Sequence, residues 1–86
     1  MALEFDPDKD AANLAKHGVS LDRARDLEVE ARVADGRFDE PRFRAYGRID
    51  GTAYCLAYTV RGAAVRAISL RRAHKREYER HVRTAE

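Results

Sequence analysis

The sequence predicts an α+β fold: two N-terminal helices, an antiparallel sheet of three to four strands, and a C-terminal helix. Three observations carry that expectation. Capping residues bracket a helix in FDPDKDAANLAKHG. Apolar and polar residues alternate through RFRAYGRID, which ends in the hairpin signal Asp50-Gly51. A basic segment with Tyr78 and Val82 four residues apart closes the chain as a helix anchored to the sheet. The helices are expected on one sheet face, with the other face partly open.

The first helix begins with Asp6 as N-cap and Pro7 at the first helical position, where its missing N–H costs nothing. Asp8 and Asp10 suit the positive end of the helix dipole. Ala11, Leu14 and Ala15 form a narrow apolar stripe, and Gly18 is a natural terminator. A second helix is expected from Ser20 to about Leu27, with Val19 and Ala24 as a hydrophobic staple and Leu21, Ala24 and Leu27 inward. A short strand follows at 29–34, where Val29, Ala31 and Val33 alternate. In RFRAYGRID, Phe43, Ala45, Gly47 and Ile49 share one face; Arg42, Arg44, Tyr46 and Arg48 share the other. TAYCLAYTV is rich in strand formers on both faces, so it is expected at the centre of the sheet. Arg61-Gly62 turns the chain into AAVRAISLR, and the last helix covers about 73–83.

At 86 residues the chain makes one domain, 1–86. The single Cys55 excludes an internal disulfide and a cysteine-rich zinc site and points to a reducing compartment, the cytoplasm. No signal peptide is read at the N-terminus, and no stretch approaches the roughly 20 apolar residues of a membrane helix. The net charge of +2 conceals a polarity: residues 1–40 sum to −5, 41–60 to +2 and 61–86 to +5. That points to an anionic partner for the C-terminal half, or to two halves that attract each other.

The histidines, His17, His74 and His81, show no metal-ligand spacing. Nucleophile-elbow, P-loop and dinucleotide motifs are absent, so no metal and no cofactor is expected. What remains is arginine on strands, a planar bidentate donor matched to phosphate. Arg42, Arg44 and Arg48 share a face with Tyr46, and either meet RNA or form a solvent face. Arg66, between Val65 and Ile68 on an apolar strand, is either paired with an acid or kept for an anion. Tyr46, Tyr54 and Tyr58 either stack bases or pack the sheet.

FDPDKDAANLAKHGVS and VRAISLRRAHKREYERH resemble the BrnT family of bacterial type II toxins. The first motif is carried by Phe5, Asp6, Pro7, Lys9, Asn13, Lys16, His17, Gly18, Val19 and Ser20. The second is carried by Ile68, Ser69, Arg71, Ala73 and Glu77, with Arg42 and Gly47 between them. The resemblance implies a RelE-like ribonuclease fold and a metal-independent endoribonuclease that cleaves mRNA and inhibits translation. It also implies a BrnA-like antitoxin, a hetero-oligomer with it (a heterotetramer), and operator DNA bound only through the antitoxin. In such an enzyme, Arg66 and Arg71 would stabilise the charge on the phosphate as the 2′-OH attacks, with Lys16 and His17 as base and acid. Arg42, Arg44, Arg48, Arg72, Tyr58 and His74 would hold RNA, and His74 also rivals His17 as the acid–base group. Acidic antitoxin residues are expected over Arg66, Arg71 or Arg72. The alternative is a non-catalytic basic module, a degenerate toxin included, that binds nucleic acid or an acidic protein with an affinity that falls steadily with salt.

Overall fold

The computed structural model describes residues 2–37 and 39–85. The elements run β1 (Ala2–Glu4), α1 (Pro7–His17), a 3-10 helix (Leu21–Asp26), β2 (Glu28–Asp35), β3 (Arg42–Ile49), β4 (Thr52–Arg61), β5 (Ala64–Arg72) and α2 (Lys75–Ala85). The sheet has five strands in the order β1-β5-β4-β3-β2. The expected α+β class holds, but two helices before three to four antiparallel strands do not. There is one N-terminal α-helix, five strands, and a mixed sheet, because β1 pairs parallel with β5 from Ala2↔Ala64 to Glu4↔Arg66.

Both differences have local causes. Leu21, Ala24 and Leu27 recur every three residues, the period of a 3-10 helix, in which side chains at i and i+3 eclipse. All three pack on the main core. Leu27 is already extended (φ −70°, ψ 118°), since β2 starts one residue later and leaves no length for an α-helix. Strand β1 is three residues long, too short to display a period.

Helix α1 is capped as its sequence demands. The Asp8 N–H donates to the Asp6 side chain at 2.8 Å, Pro7 occupies the first turn, and Gly18 closes the helix at φ 73°. Its apolar stripe does not face the core, however. Ala11, Leu14 and Ala15 are exposed, and the buried residue of α1 is Asn13. Asn13 lies against the outer edge of β5 beyond the reach of β1. Its Nδ2 donates to the carbonyls of Val19 and Leu70, both at 2.9 Å, while the Leu70 N–H donates to its Oδ1 at 3.0 Å. One amide side chain thus does there what a neighbouring strand would do.

Helical segments pack on both faces of the sheet, not on one. Leu21, Ala45, Ile49, Leu56, Tyr58, Ala67 and Leu70 form the core beneath the 3-10 helix. Ala31, Tyr46, Cys55 and Tyr78 form a second cluster under α2, with Val82 against it. The alternation of β3 is as expected, but its arginine-and-tyrosine face carries α2 instead of water. Asp50 and Gly51 both have positive φ (50° and 81°), as a tight primed hairpin turn requires. β4 is central. A bulge in β2, between Val29 and Ala31, explains Gly47, because a Cβ there would collide with the Glu28 carbonyl. A second irregularity lies in the β4–β5 pairing. Ala57 faces Ser69 but Tyr58 faces Ala67, so Ile68 is left over at the sheet edge.

Candidate active site

Strands β3 and β5 and the first turn of α2 meet on the α2 face. Arg71 and Glu77 form a two-pronged pair there, Nη1 to Oε1 and Nη2 to Oε2, each at 2.9 Å. The Tyr46 hydroxyl donates to Glu77 Oε2 at 2.9 Å and accepts from Arg44 Nη1 at 2.9 Å. The Tyr46 ring stacks on the His81 imidazole, centroids 4.6 Å apart. Two arginines are therefore held in fixed planes by one carboxylate and one phenol, themselves largely buried.

Arg44 and Arg71 line a cavity of about 250 Å³ together with Arg37, Arg42, Asp35 and Ser69. The lining holds four arginines and one carboxylate; Asp35 is tied to Arg37 at 2.7 Å, Arg42 contacts Glu40 at 3.4 Å, and Glu77 holds Arg71. Arg71 has five N–H donors. Two go to Glu77 and a third makes a long contact of 3.3 Å to the Arg72 carbonyl, which leaves Nε–H and one Nη2–H. Arg44 Nε is buried with no protein partner among the described residues. The unspent donors of Arg71, a residue that lines a small cavity, are of the kind an oxyanion such as phosphate needs.

A second groove of about 250 Å³ lies on the other side of the β5 edge, lined by Lys9, Asn13, Lys16 and His17. Ile68 and Ser69 line both cavities, so the two adjoin where β5 bulges. Lys16 is exposed and His17 half-buried. The structure thus brings Lys16 and His17 to one side of Ser69, and Arg42, Arg44 and Arg71 to the other. The remaining sequence candidates lie elsewhere. Arg66 is half-buried against Glu4 of β1 at 3.5 Å. Arg48 contacts Glu30 at 3.4 Å and the Tyr78 hydroxyl at 3.1 Å. Tyr58 is buried on the opposite face, stacked on Phe43. Arg72 and His74 are exposed and line neither cavity.

Residue chemistry alone did not single out Glu77, Tyr46's phenol as a tether, His81 or Lys9. For Glu77 a signal existed: it is the first acid after Asp50.

The electrostatics follow from these contacts. The Arg71 guanidinium, then the Tyr46 hydroxyl, hold the Glu77 carboxyl down to about 2 from an ordinary 4.5. Burial pushes the Tyr46 phenol well above its usual range, with Cys55 and Glu77 adding to it. Burial and the charges of Arg44 and Arg80 lower His81, which favours the neutral ring. A carboxyl depressed on folding stabilises the fold above its unfolded pKa and loses that contribution as pH falls through the folded value. The protein is therefore expected to lose stability between about pH 4.5 and pH 2, read by thermal melts across acid pH. Asp35, lowered to about 2 by Arg37, shares that window. Glu77→Gln should flatten, without abolishing, the slope; an unchanged slope would mean that the Glu77 pair contributes nothing to acid stability.

Fold and cleft together define a small mixed-sheet protein with a cavity lined by rigidly placed arginines. The family described as "Ribonuclease toxin, BrnT, of type II toxin-antitoxin system" matches residues 5–77, and the chain belongs to that family. Among solved structures, the Brucella abortus ribonuclease toxin BrnT superposes with a TM-score of 0.69 at 23% identity. The match covers 87% of this chain and 99% of the Brucella chain, so the fold is shared almost throughout. No curated protein sequence matches. Membership of a type II system implies a protein antitoxin as partner. No helix among the described residues is long and apolar enough to cross a membrane.

Proposed function

We propose that this chain is an endoribonuclease that cleaves mRNA without a metal ion, by attack of the ribose 2′-OH on the adjacent phosphate, and so inhibits translation. The observation that carries the reading is the adjacency of the two cavities across Ser69: fixed arginines on one side, a lysine and a histidine on the other. The scissile phosphate sits in the arginine cavity, where Arg71 and Arg44 meet the charge that grows on its oxygens and Arg42 flanks it. The strand runs over Ile68 and Ser69 towards α1. There Lys16 and His17 take the proton from the 2′-OH and return one to the departing 5′-oxygen, help typically worth ~10²–10⁴-fold. Arg48, Arg72 and His74 extend the basic surface for RNA at longer range. Arg66, spoken for by Glu4, and Tyr58, on the far face, have supporting roles in the fold under this reading. The antitoxin is BrnA-like, forms a heterotetramer with this chain, and carries the complex to its operator DNA.

Inducing the full chain alone in bacteria tests the proposal. Growth should stop and total mRNA should decay. The purified chain should cleave RNA in excess EDTA and leave 2′,3′-cyclic phosphate ends. Normal growth at confirmed soluble expression, or cleavage that EDTA abolishes, would overturn it.

A further inference from the structure

The sheet face opposite the arginine cavity carries an apolar groove that no element of the described chain covers. It encloses about 530 Å³ and is lined chiefly by Leu3, Leu27, Val29, Leu56, Val60 and Val65, drawn from β1, the residue that follows the 3-10 helix, β2, β4 and β5. Val29 and Val60 are 39% and 42% exposed, two of the three large apolar side chains most open to solvent. The charged residues of the lining are both arginines, Arg25 and Arg32. Arg25 shares its charge with Asp22 at 2.7 Å, while Arg32 stands exposed on β2. The acids of β2 do not offset it: Glu30 contacts Arg48, Glu28 pairs in register with Arg48 on the α2 face, and Asp35 is tied to Arg37.

The apolar floor offers nothing to RNA phosphates. Its volume falls within the about 300–1,000 Å³ of pockets that bury a ligand. Apolar floor and cationic rim together match the amphipathic segment of a protein, apolar anchors inward and acids at the edge. We infer that the groove is the docking site of the protein antitoxin. An amphipathic antitoxin segment fills it between Val29 and Val60 and sets acidic side chains against Arg32 and Arg25. The inference rests on the toxin–antitoxin reading and adds to it that anchoring lies on the face away from the cavity it controls. Docking and blocking are then separable: one antitoxin segment grips the groove, and another reaches the arginines.

The test uses the full chain and the antitoxin encoded beside it, with affinity measured by calorimetry. Val29 and Val60 are exposed, so the double variant Val29→Lys/Val60→Lys should fold, as circular dichroism will check. Arg32→Glu, a surface charge change, is the second variant. Each should weaken antitoxin binding by about tenfold or more, the effect of losing a central contact. RNA cleavage by the free chain should be unchanged. A photo-crosslinker at position 60 should capture the antitoxin. Wild-type affinity in both variants, or crosslinks joining two copies of this chain, would overturn the docking site while leaving the toxin reading intact. If the wild-type chain itself forms no complex, both readings fall together.

Discussion

Arg71→Ala is expected to lower RNA cleavage by about 10²–10³-fold, the usual loss when one preorganised donor to a developing oxyanion is removed. Arg71 stands at the end of β5, where Glu77 grips two of its donors and fixes its plane. Arg71 lines the same cavity as Arg44. A guanidinium already oriented loses little freedom when phosphate arrives, so its interaction energy goes into the charged transition state. Arg71→Lys keeps the charge but loses the fork, and should recover only a small part of the activity. Arg80→Ala, on the exposed side of α2, should cleave like wild type.

A structural explanation must be separated from this. Removing Arg71 leaves a largely buried Glu77 carboxylate without its main partner, and breaking such a pair often costs about 3–5 kcal/mol. The double variant Arg71→Met/Glu77→Gln removes that stranded charge and should regain most of the stability. It should remain as inactive as Arg71→Ala. Recovered cleavage in the double variant would reduce Arg71 to a brace for α2. Equal partial losses from Arg71→Ala and Arg80→Ala would make the C-terminal segment a diffuse basic patch.

How much of this was legible in the chain depends on the range of the interaction that decides each feature. Short-range features were readable. Asp6, Pro7 and Gly18 bracket α1 because capping acts within a turn of the helix end. Asp50-Gly51 forms its hairpin because the turn needs two positive φ angles in a row. The alternation of β3 shows which residues share a face, and Tyr46 and Arg44 do lie together on it. Alternation is silent, however, on what covers that face. The expectation that the helices share one face failed because α2, a helix of high charge, still places Tyr78 and Val82 in the cluster with Tyr46 and Ala31. β1 was hidden for a related reason: three residues gain a partner only once β5, some sixty positions later, is in place.

The candidate site divides along the same line. An isolated arginine on a strand says that an anion or an acid is near, but not which. Arg66 met an acid, Glu4, brought by the unforeseen β1. Arg71 met Glu77, six residues on, across the strand-to-helix corner, where neither helical nor strand spacing applies. The motif carried Asn13 and Lys9 as family resemblance only; their use depends on the edge of β5, which is a tertiary fact.

Asn13 gives the second large effect. Asn13→Ala is expected to destabilise the fold by about 2–5 kcal/mol, because it strands the Leu70 N–H and carbonyl and the Val19 carbonyl, each buried or half-buried polar group costing about 1–3 kcal/mol when unpaired. For a chain of 86 residues, each kcal/mol lowers Tm by about 4–8 °C. A drop of about 10 °C or more is therefore expected in a thermal melt. Asn13→Asp separates this from simple loss of volume. An aspartate is nearly the same size and still accepts from the Leu70 N–H. It cannot donate, and it sets a carboxylate against two carbonyl oxygens, so it should cost at least as much as alanine. The same substitutions release α1 from β5, and with it the placement of Lys16 and His17 beside Ser69. Cleavage per folded molecule should fall in both variants even below their lowered melting points, and the Leu70 amide should lose its protection from hydrogen exchange. If Asn13→Asp melts within about 2 °C of wild type, the amide is not what holds α1 to the sheet edge, and the juxtaposition of the two cavities needs another cause.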